Sequence, residues 1–371
     1  MEAHITIIKT ADSRQQTADS RQQTADSRQQ TADSRCHYFD FLRIAAAFGV
    51  IVMHTSMWRI YLREVNSFSF LSSIIYTYLC EWSVPVFVMI SGGLFLSRDI
   101  PIRKIYGKYI FRIFTAFIFW SFVYSVLLFI FKKAGFLECL KHFIKGNYHM
   151  WFLFMIAWMY AVMPIAKKIA ESEHLAKYFI VLWFISFIVL PQSANIAGLF
   201  SKSLRDFMKE ITDSFYFGFT MGFTGYFILG YKLNNTEISA RTERLIYAAG
   251  IFSFLASCMT GVIFSRITGN AYTSLRGNNI WNVFESIAVF VFFMKHFRSG
   301  SKLIAKLSQY SFGVYLVHDA AIQFVIKICR VTPFSFNAVL SVLVISVIVF
   351  VISFAISAVL NHIPFINKYI V

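Results

Sequence analysis

Residues 38–56 read YFDFLRIAAAFGVIVMHTS, a run that is long enough to cross a bilayer and yet carries Asp40, Arg43 and His54. Arg43 and His54 are eleven positions apart, so an α-helix would bring them onto one stripe, about 16 Å apart along its axis. Asp40 lies about one turn before Arg43 on the same side. An arginine at the centre of a bilayer costs roughly 2.5–3.5 kcal/mol on insertion scales. The stripe is therefore expected to face a protein interior or an aqueous cavity.

Two interpretations of this stripe are open. Ionisable residues inside a membrane segment usually mark a functional site. The alternative is an arginine that extends to the lipid headgroups and a histidine that is satisfied by packing alone. Because two titratable groups share the face, the functional interpretation is favoured.

The composition indicates a multi-pass membrane protein. Of the 371 residues, 57% are hydrophobic and 18% are aromatic, whereas soluble domains are about 45–50% apolar. Apolar runs and their flanking charges predict an all-α bundle of about ten transmembrane helices. The predicted spans are residues 38–58, 70–97, 105–131, 149–165, 177–195, 214–231, 245–265, 280–295, 310–330 and 337–360.

The formal net charge of +16 would suggest a nucleic-acid ligand in a soluble protein. Here the lysines and arginines lie in short loops between apolar runs, so we predict contacts with membrane lipids and no nucleic-acid partner. They are slightly more numerous on the side of the N-terminus, which indicates that the N-terminus is cytoplasmic. The five cysteines are scattered without a C-x-x-C pair, so neither a disulfide framework nor a metal site is predicted.

Residues 1–37 are expected to form a disordered cytoplasmic tail, followed by a membrane domain at 38–371. The tail repeats the heptad TADSRQQ from Thr10, Thr17 and Thr24, with a truncated copy at 31–35. Each copy contains one alanine and no larger aliphatic residue, so it has no apolar seam that a coiled coil or a core could bury.

Polar residues also occur in later apolar runs. The second run contains Glu81, and Pro85 and the Ser-Gly-Gly triplet at 91–93 are expected to interrupt its helix. Glu285 lies about one turn into the eighth run.

The fourth and ninth runs carry histidines. His149 and Trp151 begin the fourth run, which on the predicted topology places them at the level of His54, on the outer side. In the ninth run, Ser311 and His318 are seven positions apart and share one helix face. This spacing is expected to place His318 at inner to middle membrane depth.

A basic cluster precedes and enters the third run on the predicted cytoplasmic side. It consists of Arg103, Lys104, Lys108 and Arg112. Such a cluster can be a topology anchor only, or it can bind a polyanionic cytoplasmic ligand.

Four blocks of the sequence, in order, resemble the acyltransferase 3 family of integral membrane enzymes. They are FLR at 41–43 followed by His54, VPVFVMISG at 84–92, YHMWFL at 148–153, and SFGVYLVH at 311–318. Two features depart from the family pattern. Its R-x-x-R element appears only loosely in the basic cluster, and Ser-Gly-Gly stands where Ser-Gly-Tyr or Ser-Gly-Phe is usual.

The resemblance implies an enzyme of the bacterial inner membrane that takes an acyl group, most often acetyl, from cytoplasmic acyl-CoA. The acceptor would be a hydroxyl of a cell-surface or lipid-linked carbohydrate. Acetyl-CoA would be a donor substrate, and no permanently bound cofactor is expected.

Roles for the candidate residues follow from this resemblance together with their positions. His54 is predicted to be the general base, because a neutral imidazole with a pKa of about 6.5 suits proton removal from a hydroxyl. Arg43 would bind donor phosphate or hold Asp40. The other predicted donor-binding residues are Arg103, Lys104, Lys108, Arg112, Ser311 and His318. The predicted acceptor-binding residues are Glu81, His149, Trp151 and Glu285.

Two alternatives to the acyltransferase remain open. A transporter or flippase for a lipid-linked glycan would use the same buried charges as gates, although no internal repeat supports it. A protein of the same fold could also bind an acyl donor or lipid without turnover.

Overall fold

The computed structural model describes residues 36–214, 222–269 and 279–371, so the heptad repeat lies outside the described residues. Tyr38–Val371 forms one unit. The first helices are α1 (Tyr38–Ser56), α2 (Phe68–Cys80), α3 (Ser83–Phe95), α4 (Ile102–Lys132), α5 (Phe136–Lys145), α6 (Trp151–Glu171), α7 (Glu173–Phe200) and α8 (Lys202–Ser214). They are followed by α9 (Thr224–Asn234), α10 (Ala240–Thr268), α11 (Ile280–His296), α12 (Lys302–Gln309), α13 (Ser311–Lys327), α14 (Ala338–His362) and α15 (Pro364–Tyr369).

The predicted all-α membrane architecture is confirmed. The described residues form helices and loops without strands, and seven helical segments are long and apolar enough to cross a membrane. These segments are Tyr38–Leu62, Phe68–Phe95, Ile102–Lys132, Phe136–Glu171, Glu173–Phe200, Ala240–Thr268 and Ala338–His362. The other three predicted spans correspond to α9, α11 and α13, whose described lengths are 11, 17 and 17 residues. Ten is therefore an approximate number of spans.

Helix α1 is the centre of the bundle. It packs against α2, α3 and each of α11 to α14, which explains why Leu42, Ala46 and Ile51 are fully buried. Small residues permit these close approaches: a Cβ atom at Gly49 would lie 2.2 Å from the Ser83 Oγ of α3. The polar stripe of α1 is thus enclosed by protein rather than exposed to lipid.

The second predicted span is interrupted, but not at the residues expected. The helical path breaks at Glu81–Trp82 between α2 and α3, and α3 then runs without a gap through both Pro85 and the triplet at 91–93. Proline is accommodated because it lies in the first turn of α3, where its missing N–H removes no intrahelical bond. The expectation that these residues interrupt the helix is therefore wrong.

The glycines of α3 serve packing instead. Helices α3 and α9 approach each other closely, and a Cβ atom at Gly92 would lie 1.8 Å from the Phe227 carbonyl oxygen of α9. Reciprocally, a Cβ atom at Gly230 would lie 2.0 Å from the Met89 carbonyl oxygen. Small residues that let two backbones approach are a common basis of helix association in membranes.

We predict that Gly92→Ala and Gly230→Ala each destabilise the folded protein by about 1–3 kcal/mol or more, because the added methyl group forces two backbones apart. Gly107→Ala is the matched control, since a Cβ atom there meets no heavy atom within 4 Å. Thermal unfolding of the purified proteins in detergent measures the difference. Equal melting temperatures for all three variants would contradict the proposed close packing.

Candidate active site

Three histidines from three helical regions meet at one end of α1. The ring centroid of His54 lies 5.2 Å from that of His318 on α13, and His318 lies 4.8 Å from His149. His149 belongs to a short 3-10 turn that precedes α6. His149 and His318 are almost fully buried, whereas His54 is half-buried. His149 was expected only at the level of His54, and it lies in the same cluster. His318 was expected nearer the inner side of the membrane than His54, but it lies beside His54 at the same end of α1.

An aspartate organises the residues around this cluster. Asp319 accepts hydrogen bonds from the Asn147 Nδ2 (2.7 Å), the Tyr148 hydroxyl (2.9 Å) and the Gln323 Nε2 (2.7 Å). The Tyr148 ring in turn lies edge-on to His54, with centroids 5.3 Å apart. The buried carboxylate of Asp319 holds these three donor side chains in fixed positions, because the loss of any one hydrogen bond would leave the negative charge of the carboxylate less well compensated.

The ring of His318 has a defined tautomer. Its Nδ1 lies 2.5 Å from the Tyr315 carbonyl oxygen, and since a carbonyl only accepts, Nδ1 carries the proton. The Nε2 of His318 is then an unprotonated nitrogen, and it is buried without a hydrogen-bond partner in the described part of the chain. His54 likewise makes no hydrogen bond to any described residue. Both rings can therefore accept a proton from a bound molecule.

A cavity of about 740 Å³ opens beside His54. His149, Trp151 and Glu81, three of the predicted acceptor-binding residues, line it. Glu285, the fourth, lies behind Glu81 and accepts a hydrogen bond from the Ser257 hydroxyl at 3.2 Å. It does not line the cavity.

A second cavity, of about 320 Å³, lies at the other end of α1. Arg43 lines it, and Arg43 also pairs with Asp40 at 3.5 Å. Asp40 is buried and accepts a hydrogen bond from the Ser308 hydroxyl. This carboxylate therefore anchors the arginine while the guanidinium, which is about one third exposed, remains at the cavity wall.

The predicted donor-binding residues divide into two groups. Arg112 and Ser311 line the smaller cavity with Arg43, and Arg112 also donates to the Val371 main-chain oxygen. The remaining members of the basic cluster are exposed and do not line it; they are Arg103, Lys104 and Lys108. His318 lies with His54, on the same helix face as Ser311 but about 10 Å from it along α13.

Two aromatic side chains separate the cavities. Phe152 and Tyr315 line both, and their ring centroids are 5.2 Å apart. The Tyr315 hydroxyl donates to the His149 carbonyl oxygen. These two rings therefore form a wall that the two cavities share.

Several residues of the site were missed by sequence reasoning. Asp319 follows His318 but points in another direction around the helix, so periodicity did not connect it with His54. Tyr148 and Phe152 lie inside a family block, yet neither has a charge that draws attention in an aromatic-rich chain. An intramembrane aspartate is itself a signal of function, and Asp319 was identifiable on that ground.

Comparison with known proteins adds one finding. A family profile described as an acyltransferase domain, that of the acyltransferase 3 family, matches residues 37–361. The match covers α1 through nearly all of α14 and so includes both cavities. No individual curated protein and no solved structure matches the chain.

We predict that the two cavities open to opposite sides of the membrane. In a variant without native cysteines, Met57→Cys places a thiol in the larger cavity and Leu94→Cys places one in the smaller. Phe122→Cys is the control, because this exposed side chain of α4 lines neither. A charged, membrane-impermeant thiol reagent should label the first two from different sides and the control from neither. Labelling of both cavities from one side would contradict the arrangement.

Proposed function

Because this chain belongs to the acyltransferase 3 family and so is a membrane acyltransferase, we propose that it is an O-acyltransferase and that the group it transfers is acetyl. The donor is a cytoplasmic acyl-CoA, and the acceptor is a hydroxyl of a cell-surface or lipid-linked carbohydrate. The observation that carries this proposal is the pair of cavities at the two ends of α1, one with arginines and one with histidines.

The smaller cavity suits the donor. Arg43 and Arg112 are permanently charged, and their planar guanidinium groups match phosphate oxygens in two parallel hydrogen bonds. The pantetheine arm of CoA is a thin chain that can extend along α1 towards His54. Arg43 and His54 are about 16 Å apart along this helix, so the phosphates and the thioester occupy different cavities.

The chemistry takes place at His54. Its free imidazole nitrogen accepts the proton of the acceptor hydroxyl while the oxygen attacks the thioester carbonyl carbon. The new ester C–O bond forms, the C–S bond breaks, and the thiolate of CoA leaves. The proton passes from His54 to this sulfur, which restores the neutral imidazole.

The neighbours of His54 position it. Tyr148 packs edge-on against the ring and is fixed by Asp319, while His318 contacts the ring from α13. The sequence-based assignment of His318 to the donor remains a prediction, and its place beside His54 supports contact with the thioester end of the donor rather than with the phosphates.

The larger cavity is proposed to hold the acceptor. Glu81 offers an acceptor for sugar hydroxyls and Trp151 a flat apolar surface, and both line the cavity. Within the family, the sequence resembles the enzyme that O-acetylates enterobacterial common antigen, which makes a glycan of that kind a candidate acceptor. The proposed location is the bacterial inner membrane with a cytoplasmic N-terminus, which directs the larger cavity outward.

Cavities at both ends would also suit a transporter or flippase for a lipid-linked glycan. Labelled acetyl-CoA separates the two functions, because only an acyltransferase releases CoA in proportion to esterified acceptor.

We predict that His54→Gln lowers transfer by about 100-fold or more, because glutamine keeps a polar side chain but lacks the basic nitrogen needed for general base catalysis. Protein abundance and melting temperature should stay near those of the native enzyme. Transfer is measured as CoA release in the presence of a glycan acceptor. Normal turnover of the variant would remove His54 from the mechanism.

A further prediction separates the donor residues. Arg43→Lys should raise the KM for acetyl-CoA by about tenfold or more although the charge is kept, because a point charge cannot replace a bidentate fork. Arg112→Gln should act in the same direction. The double variant Arg103→Gln/Lys104→Gln is the control, since these side chains lie outside the cavity. An equal rise in KM for the control would mean that the whole basic cluster attracts the donor from solution.

A further inference from the structure

The mouth of the larger cavity is lined by three cations. They are Arg59, Lys132 and Lys327, which follow α1, end α4 and end α13 respectively. All three are exposed, and none forms an ion pair with a residue in the described ranges. Three helices that are distant in the sequence thus bring like charges to one opening.

These charges repel one another. Lys132 and Arg59 are both close enough to act on the Lys327 ammonium, and the buried Asp319 opposes their effect only in part. Like charges that converge destabilise the fold, and a bound anion would relieve the repulsion that the buried Asp319 leaves uncompensated. The arrangement is therefore unfavourable by itself and favourable when an anion is present.

One of the cations is connected directly to the catalytic cluster. The Lys327 ammonium donates to the Gln323 Oε1 at 2.7 Å, and the Gln323 Nε2 donates to Asp319 at 2.7 Å. Asp319 also holds Tyr148, which packs against His54. These hydrogen bonds, together with the packing of Tyr148 on His54, fix the position of Lys327 relative to His54, the proposed base.

Arg59 is also held in place. Its backbone has φ = 53°, a left-handed conformation that a residue with a Cβ atom adopts at some cost. Its guanidinium lies over the Trp58 ring, 4.9 Å from the centroid. Trp58, Tyr61 and Trp151 line the same cavity, so flat aromatic surfaces accompany the cations there.

The acidic residues of the cavity do not cancel this charge at its mouth. Asp319 is buried and accepts three hydrogen bonds. Glu81 is also buried, beside Asn279. The part of the cavity that meets solvent therefore presents positive charge alone among its described residues.

We propose that this mouth binds an anionic group, a phosphate or a carboxylate, of the carbohydrate acceptor, and that it holds the hydroxyl to be acylated beside His54. The proposal rests on the proposed function and names the acceptor as an anionic glycan. If the larger cavity faces the outer side, the preference for positive residues on the cytoplasmic side does not account for the cations at its mouth. The binding of an anion does account for them.

The test measures binding of matched soluble probes to the full-length protein in phosphatidylcholine nanodiscs, without acyl-CoA. One pair is N-acetylglucosamine 1-phosphate and N-acetylglucosamine, and the other is methyl glucuronide and methyl glucoside. Saturation-transfer NMR titration gives each dissociation constant. We expect at least one anionic probe to bind about tenfold more tightly than its neutral match. The pair with the larger difference in dissociation constant shows whether the mouth prefers a phosphate or a carboxylate.

The triple variant Arg59→Gln/Lys132→Gln/Lys327→Gln should lose this preference. Its matched control is Lys133→Gln/Lys141→Gln/Lys145→Gln, which removes the same charge from exposed positions that do not line the cavity, and it should keep the preference. Equal binding of anionic and neutral probes by the native protein, or an equal loss in the control, would overturn the proposal.

Two further measurements distinguish a glycan anion from a lipid headgroup and from the acyl donor. Nanodiscs that contain phosphatidylglycerol should leave the preference intact, and its loss there would assign the cations to lipid headgroups and overturn the proposal. Acetyl-CoA binding should be unchanged in the triple variant, because its cations lie away from the Arg43 cavity. If the native protein binds no acyl-CoA, the proposed function fails whatever the anion probes show.

Discussion

The structure depends on the enclosure of a polar stripe by the helices around α1. Asp40, Arg43 and His54 could not face lipid without a large free-energy cost, and six helices pack around α1 to prevent it. Arg43 is paired with Asp40, so its charge is compensated within one turn. As a result, α1 carries Arg43 at the smaller cavity and His54 at the larger one, and the single helix fixes the distance between them.

The same constraint explains why the site is built where α1 and α13 meet, together with the short turn before α6. Helix α13 runs beside α1, and one of its faces passes both cavities: Ser311 lines the smaller, Tyr315 lies in the dividing wall, and His318 touches His54. Asp319 then fixes Tyr148 and Gln323. A shift of α13 against α1 would change the smaller cavity, the wall and the histidine cluster together.

The wall between the cavities gives the proposed reaction its order. Phe152 and Tyr315 lie between the two spaces in this conformation. In the proposed reaction, the donor arm would pass these rings to bring its thioester to His54. The hydrogen bond from Tyr315 to the carbonyl oxygen of His149 couples the wall to the histidine cluster, which suits a site that should be complete only when the donor is in place.

The sequence by itself determined the all-α membrane class and the polar stripe of α1, because apolar length and helical period are local properties of the chain. It also placed His149 at the level of His54 through the order of the spans. The tertiary structure alone decided that His318 meets His54 and that Asp319 holds Tyr148 beside it. It also decided that Glu285 lies behind the cavity, and that Gly92 contacts α9 instead of breaking α3. Periodicity fixes the direction in which a side chain leaves its own helix, but not which neighbour it meets. That neighbour depends on how closely two backbones can approach, which glycines and small residues on separate helices decide together.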